Sequence, residues 1–349
     1  MTTELALPGL ERAAAERSDP EPGHWIERGP LKRLMVFSGR SHPELAARIA
    51  EQLGVELGEI ELETFANGET YCRYDESIRG ADVFIVQTGC EPVDRNLMEL
   101  LLMIQAAKLA SAKRITAVIP WFPYSRQDRK ARPREPISGR LVADMLQLAG
   151  VDRVLTMDLH AGQIQGFFTI PVDHMTALPL FANHFRDLGL HGSGMVSVAP
   201  DAGRAKHAVR FGEMIDAEFA IMHKTRPRHD MASVTEVTGR VRGKVAVIGD
   251  DAIMTGGTLL AGAAALREQG ATDVWVFATH GIFSGDALKR FASAELGGIV
   301  VTDTVPIDPR GRPDNLTVLT VSGLLVETIT NVFADESVSA IFGDENQLF

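Results

Sequence analysis

Cysteine is scarce: Cys72 and Cys90 are the only two in 349 residues. One pair cannot make a disulfide framework, and the two lack metal-type spacing, so a reducing cytoplasm is the expected setting. Long apolar runs are missing as well. No stretch approaches the roughly 20 uninterrupted apolar residues of a membrane span, so no membrane partner is expected. Between Met1 and Pro30 no apolar run is flanked by basic residues, and no secretory signal is expected. Positive charge is in deficit, with a net charge of -11, which argues against a general nucleic-acid binder. Long-period repeats and low-complexity tracts are absent too, which excludes a solenoid or a biased linker protein.

What is present is an ordinary globular composition, 45% hydrophobic and 23% charged, with enough apolar material for a sizeable core. Residues 1–30, rich in Ala, Glu and Pro, read as a mobile extension. From Leu31 short apolar runs alternate with helical periodicity. Leu34 to Phe37, Val83 to Val86, Ile115 to Ile119, Met195 to Val198, Val245 to Ile248, Val274 to Phe277 and Ile299 to Val301 read as buried strands. Leu97, Leu100, Leu101 and Ile104 mark one helix, with Asp94 its expected cap, and a second follows Ser138. This alternation predicts an α/β fold of mostly parallel sheets flanked by helices. The expected division is an N-terminal α/β domain over 31–177, a C-terminal one over 178–342, and a tail over 343–349. Ligands of such sheets bind in loops beyond the carboxyl ends of strands.

One such loop carries a specific signal. The strand from Val245 delivers Asp250 and Asp251, and the turn Thr255-Gly256-Gly257-Thr258 opens a helix near Leu259. Glycines admit an anion close to the backbone, and a helix start offers free N–H groups. The acids would repel a phosphate, so they suit sugar hydroxyls, directly or through a divalent cation. A phosphate and vicinal hydroxyls on one molecule describe a phosphorylated pentose. A P-loop is absent, and His191-Gly192-Ser193-Gly194 lacks the third glycine of a dinucleotide fold. Elsewhere five of the nine residues from Arg126 to Arg134 are Arg or Lys, a dense patch that on an acidic chain suits a small polyanion.

The pentose loop resembles that of phosphoribosyltransferases and phosphoribosyl pyrophosphate synthetases. Four further segments are similar to the synthetase family, ribose-phosphate pyrophosphokinase, and base-transferring phosphoribosyltransferases have no counterpart of the loop Arg126-Gln127-Asp128-Arg129. The four segments are Phe65 to Glu69, Asn96 to Leu101, Pro120 to Lys130 and Thr156 to Phe168, and the resemblance runs from about Leu31 to Phe342. It implies two phosphoribosyltransferase-type domains and transfer of the β,γ-diphosphoryl group of Mg-ATP to O1 of ribose 5-phosphate. Arg126 and Arg129 would meet the ATP phosphates, with Gln127 and Asp128 on adenine or ribose. Phe65, Asn67 and Glu69 would complete the adenine pocket from a neighbouring subunit. His160 and Asp201 would hold magnesium on the ATP phosphates, with Asp158 a weaker candidate. Lys224 and Arg226 match the cations of a mobile catalytic loop, placed to stabilise the charge of the transferring group. A homo-oligomer, hexameric by resemblance, and a response to phosphate and ADP are also implied.

Three positions depart from the family pattern. Met254 stands where synthetases usually carry Asp, Arg204 where they usually carry Gly, and Thr169 where many carry an acid. Met254 removes a polar contact near the pentose, and Arg204 adds a cation near the metal and phosphates. The alternatives are therefore an ordinary synthetase, a paralogue with an altered pentose phosphate, or a low-activity regulatory subunit. A nucleobase phosphoribosyltransferase is opposed by the ATP-side segments.

Overall fold

The computed structural model describes residues 32–225 and 234–338. The extension read over residues 1–30 and the tail from 343 lie outside them. In chain order the elements begin with strand β1 (Leu34–Ser38), helix α1 (Pro43–Leu53), β2 (Ile60–Thr64), β3 (Thr70–Tyr74) and β4 (Asp82–Val86). Helix α2 (Val93–Leu109), β5 (Arg114–Ile119), α3 (Ser138–Ala149), β6 (Arg153–Met157) and β7 (Val172–Met175) complete the first half. Helix α4 (Leu178–Asp187), β8 (Met195–Ala199), α5 (Ala205–Met214), β9 (Glu218–Thr225), β10 (Val234–Thr238) and β11 (Val245–Ile253) follow. The chain continues through α6 (Gly257–Glu268), β12 (Asp273–Gly281), α7 (Ala287–Ala292), β13 (Gly298–Thr302), β14 (Leu316–Leu319) and α8 (Ser322–Ala334).

The first sheet has the order β1-β4-β5-β6-β7, all parallel. The second has the order β10-β9-β8-β11-β12-β13-β14, parallel except for the antiparallel edge pair β9–β10. Strands β2 and β3 pair as a separate antiparallel hairpin. The apolar runs become strands because both faces are covered: every residue of β4, β8 and β13 is buried. Helix α4 buries Leu178, Phe181, Ala182 and Phe185, one face of a 3.6-residue period. Helix α2 begins after Pro92 and not at Asp94, correcting the expected cap. Asp94 lies in its first turn and accepts a hydrogen bond from the Tyr124 hydroxyl.

One core is shared by the two sheets. Phe84, Leu155 and Met157 of the first join Val247, Phe277 and Val300 of the second, with α4 and α8 contributing Phe181, Phe185, Leu325 and Ile329. Helix α8, last in the chain, packs on α1 in the first half. Polar bonds reinforce the seam. Thr88 donates its hydroxyl to the Thr304 carbonyl at 2.7 Å, and Arg48 pairs with Asp303 at 2.7 Å.

Two buried histidines belong to that seam. His42 accepts the Leu45 N–H on Nδ1 and donates from Nε2 to the Asp303 carbonyl at 2.9 Å, which requires the neutral ring. His280 is fully buried, with Nε2 3.2 Å from the Met157 carbonyl. Burial pushes both below the ordinary histidine value. A group with a lowered folded pKa takes up its proton on unfolding, so stability is full above about pH 6.5 and falls as pH drops below it. The expected loss steepens by about 1.4 kcal/mol per pH unit for each histidine titrating only in the unfolded chain. Melting temperature against pH measures this, and a flat profile from pH 7 to 5.5 contradicts it.

Candidate active site

The carboxyl ends of β6, β8 and β11 bring three sequence motifs to one cleft of about 480 Å³. Its lining includes Asp158 and His160 after β6, Asp201 and Arg204 after β8, Asp251 of β11, and Asp128 and Arg129. This is the edge where parallel sheets place ligands, because the connecting loops leave the strands there.

Asp251 is the centre of the cluster. Its side chain is 6% exposed and both oxygens are engaged. Oδ2 lies 2.7 Å from His160 Nδ1, and Oδ1 is bonded by Arg204 Nη2. A carboxylate only accepts, so His160 presents an N–H to it from Nδ1. Arg204 Nη2 also stands 3.2 Å from that Nδ1, a contact between two donors. Asp250 receives Arg204 Nε at 3.2 Å and the Asp251 N–H at 2.9 Å. Burial and the neighbouring Asp251 charge push Asp250 above the usual carboxylate range. Burial opposes ionisation of Asp251 as well, but His160 and Arg204 hold it below the usual carboxylate range.

The loop beyond Asp251 has the form expected of an anion cradle. Gly256 precedes α6 at φ 72°, the left-handed region, and a Cβ there would lie 2.2 Å from Phe291 Cε2. The first N–H groups of the helix have no intrahelical acceptor, and Thr255, Gly257 and Thr258 are exposed beside them. Arg290 binds the Thr255 carbonyl, fixing the turn from behind. These residues do not line the cleft itself; its lining reaches their segment at Asp251.

Also in the lining, Asp128 Oδ2 accepts from Gln163 Nε2 at 3.0 Å. Gln127 Oε1 accepts from the Ser138 hydroxyl at 2.6 Å, docking this basic loop on the start of α3. Arg126 is exposed outside the cleft, whereas Arg129 lines it. Phe65, Asn67 and Glu69 form the exposed turn of the β2–β3 hairpin and do not line this cleft. Phe65 is 48% exposed and meets Tyr71 at 5.5 Å between ring centroids. Lys224 falls in β9, opposite Thr235 of β10, and Arg226 lies outside the described residues.

Asp158 has a structural task. Its Oδ2 accepts from the Ala177 N–H at 2.9 Å and from the Thr279 hydroxyl at 2.6 Å, tying the two halves together. Thr169 donates both its N–H and its hydroxyl to Gln147 Oε1 at 2.7 Å, away from the cleft. Met254 is half-buried and its carbonyl accepts from Ser284. Lys206, His207 and Arg210 of α5 also line the cleft and were missed in the sequence. The signal was there: Lys206 and Arg210 are four apart on the helix that follows Asp201.

Among the described residues no cluster of three or more His, Cys, Asp or Glu side chains forms a metal cage. Magnesium needs no such cage, since it keeps several waters and takes few protein ligands beside substrate phosphates. The donors present fit that pattern. Asp251 orients the His160 ring, and Asp201, exposed, holds its loop by accepting the Arg204 N–H at 3.1 Å.

Residues 34–150 match the family described as the N-terminal domain of ribose phosphate pyrophosphokinase. Residues 222–343 match the phosphoribosyl synthetase-associated domain. The chain is 46% identical over 312 residues to the ribose-phosphate pyrophosphokinase of Fusobacterium nucleatum, covering 89% of this chain and 99% of that one. It is 47% identical over 322 residues to that of Corynebacterium efficiens, covering 91% and 98%. Its structure is similar to the phosphoribosylpyrophosphate synthetase of Mycobacterium smegmatis, with a TM-score of 0.81 and 46% identity, over 87% of this chain and all of that one.

Proposed function

The chain belongs to the ribose-phosphate pyrophosphokinase family, and from that membership we propose that it transfers the β,γ-diphosphoryl group of Mg-ATP to O1 of ribose 5-phosphate. The observation that carries this reading is the 2.7 Å bond from His160 to Asp251. It joins an ATP-side residue to a pentose-side residue in one cleft, as direct transfer between two bound substrates requires.

Asp250 and Asp251 accept hydrogen bonds from the pentose hydroxyls, and the 5-phosphate rests on the N–H groups and hydroxyls of Thr255 to Thr258. Arg126 and Arg129 hold the ATP phosphates, while Gln127 and Asp128 read the adenosine. Magnesium held at His160 and Asp201 would neutralise phosphate charge. The pentose O1 attacks the β-phosphorus, the bond from that phosphorus to the α,β-bridging oxygen breaks, and AMP leaves with the electron pair. The O1 proton passes to solvent. Lys224 and Arg226 offset the negative charge that spreads over the diphosphoryl group.

The exposed Phe65 turn supports a homo-oligomer in which Phe65, Asn67 and Glu69 cover the adenine of a neighbouring chain. Phe65→Ala is then expected to raise the KM for ATP about tenfold and leave the KM for ribose 5-phosphate unchanged. Steady-state kinetics decide it; equal effects on both substrates contradict the assignment. No helix among the described residues is long and apolar enough to cross a membrane. With Cys72 and Cys90 both free, the proposed location is the cytoplasm.

Phosphorus NMR of the protein with magnesium-ATP, ribose 5-phosphate and inorganic phosphate tests the reaction. AMP appearing in step with a diphosphate on C1 is expected. ADP in place of AMP, or no turnover while ATP binds, overturns it.

A further inference from the structure

The strongest unassigned feature of the cleft is Arg204. Its guanidinium reaches from the turn after β8 to both acids of β11, with Nε 3.2 Å from Asp250 Oδ1 and Nη2 bonded to Asp251 Oδ1. The side chain is only 17% exposed, and Nη2 also touches His160. These carboxylates are the groups that the proposed function gives to the pentose hydroxyls. A neutral diol offers two ordinary hydrogen bonds, whereas the guanidinium offers charge-assisted ones to the same oxygens. Each Asp251 oxygen already accepts one bond, Oδ1 from Arg204 and Oδ2 from His160, so a diol must share or take the edge that the guanidinium occupies.

We propose that Arg204 is an internal occupant of the pentose subsite, which the substrate diol must displace. The argument rests on the assignment of Asp250 and Asp251 to the pentose. A site competent only when Arg204 has swung away binds its ligand more weakly by the fraction of time it is open.

The test is calorimetric titration of ribose 5-phosphate and, separately, AMP into wild type, Arg204→Gly, Arg204→Gln and Asp251→Asn. With the side chain removed, ribose 5-phosphate is expected to bind about tenfold tighter, and with Gln about threefold tighter. The affinity for AMP should stay within about twofold of wild type. A gain of affinity is not a result that loosened structure produces. If Arg204→Gly does not fold, the Gln variant carries the same comparison. Unchanged or weaker pentose phosphate binding in the Arg204 variants, with Asp251→Asn still impaired, overturns the proposal and leaves the pentose site standing. Unimpaired binding by Asp251→Asn overturns both.

Discussion

Asp251→Asn is expected to lower kcat/KM for ribose 5-phosphate by about 100-fold or more, with a much smaller change in affinity for AMP. The amide keeps the size of the carboxylate and removes its charge. Three interactions then fail together. The pentose loses a charged acceptor, His160 Nδ1–H loses the partner that fixes its ring, and Arg204 keeps Asp250 alone. Misorientation of His160 and loss of the pentose contact both act on the transition state, so the effect falls on kcat as well as KM. Some loss of melting temperature accompanies it, because a largely buried ion pair has been broken on one side. A change below about threefold would show that Asp251 does not touch the pentose.

Gly256→Ala is the second large effect, and it acts through the backbone. At φ 72° an alanine is strained by about 1–2 kcal/mol. Its methyl would also sit 2.2 Å from Phe291 Cε2, and the fully buried ring must shift, at a cost of about 1–3 kcal/mol. The sum, about 2–5 kcal/mol, should appear as a clear drop in thermal midpoint. Because the strained residue is the cap of α6, the N–H groups offered to the 5-phosphate move with it. The KM for ribose 5-phosphate should rise about tenfold or more. Trimming Phe291 to Leu in the same background should recover part of the stability and little of the KM. An unaltered midpoint in Gly256→Ala would contradict the geometry of the turn.

The central strands were legible because a parallel strand covered on both faces is a continuous apolar run. Val83 to Val86 and Ile299 to Val301 carry that signal without interruption. The β2–β3 hairpin and the β9–β10 edge pair were not legible. Glu61, Glu63, Thr70 and Arg73 in one, and His223, Lys224 and Glu236 in the other, interrupt the apolar pattern. Asp94 misled as a cap because Pro92 already ends the preceding extended segment one residue before the helix. Of the residues that line the cleft, Asp251, His160 and Asp201 each sit in a short motif at the end of a strand, which is why they stood out in the sequence. The meeting of His160 with Asp251 was not legible, since 91 residues separate them and only the packing of the two sheets joins them. Arg204 was visible as a cation where the family usually carries Gly. That it lies on Asp250 and Asp251 depends on the direction of a long side chain, which no sequence pattern encodes.

The measurement closest to the central claim compares ribose 5-phosphate with 2-deoxyribose 5-phosphate in wild type and in Asp251→Asn. If the paired acids read the pentose hydroxyls, wild type should prefer ribose 5-phosphate by about 100-fold in kcat/KM, and the preference should shrink to a few-fold in the variant. A preference that survives intact in Asp251→Asn would place the hydroxyl contacts elsewhere and contradict the account.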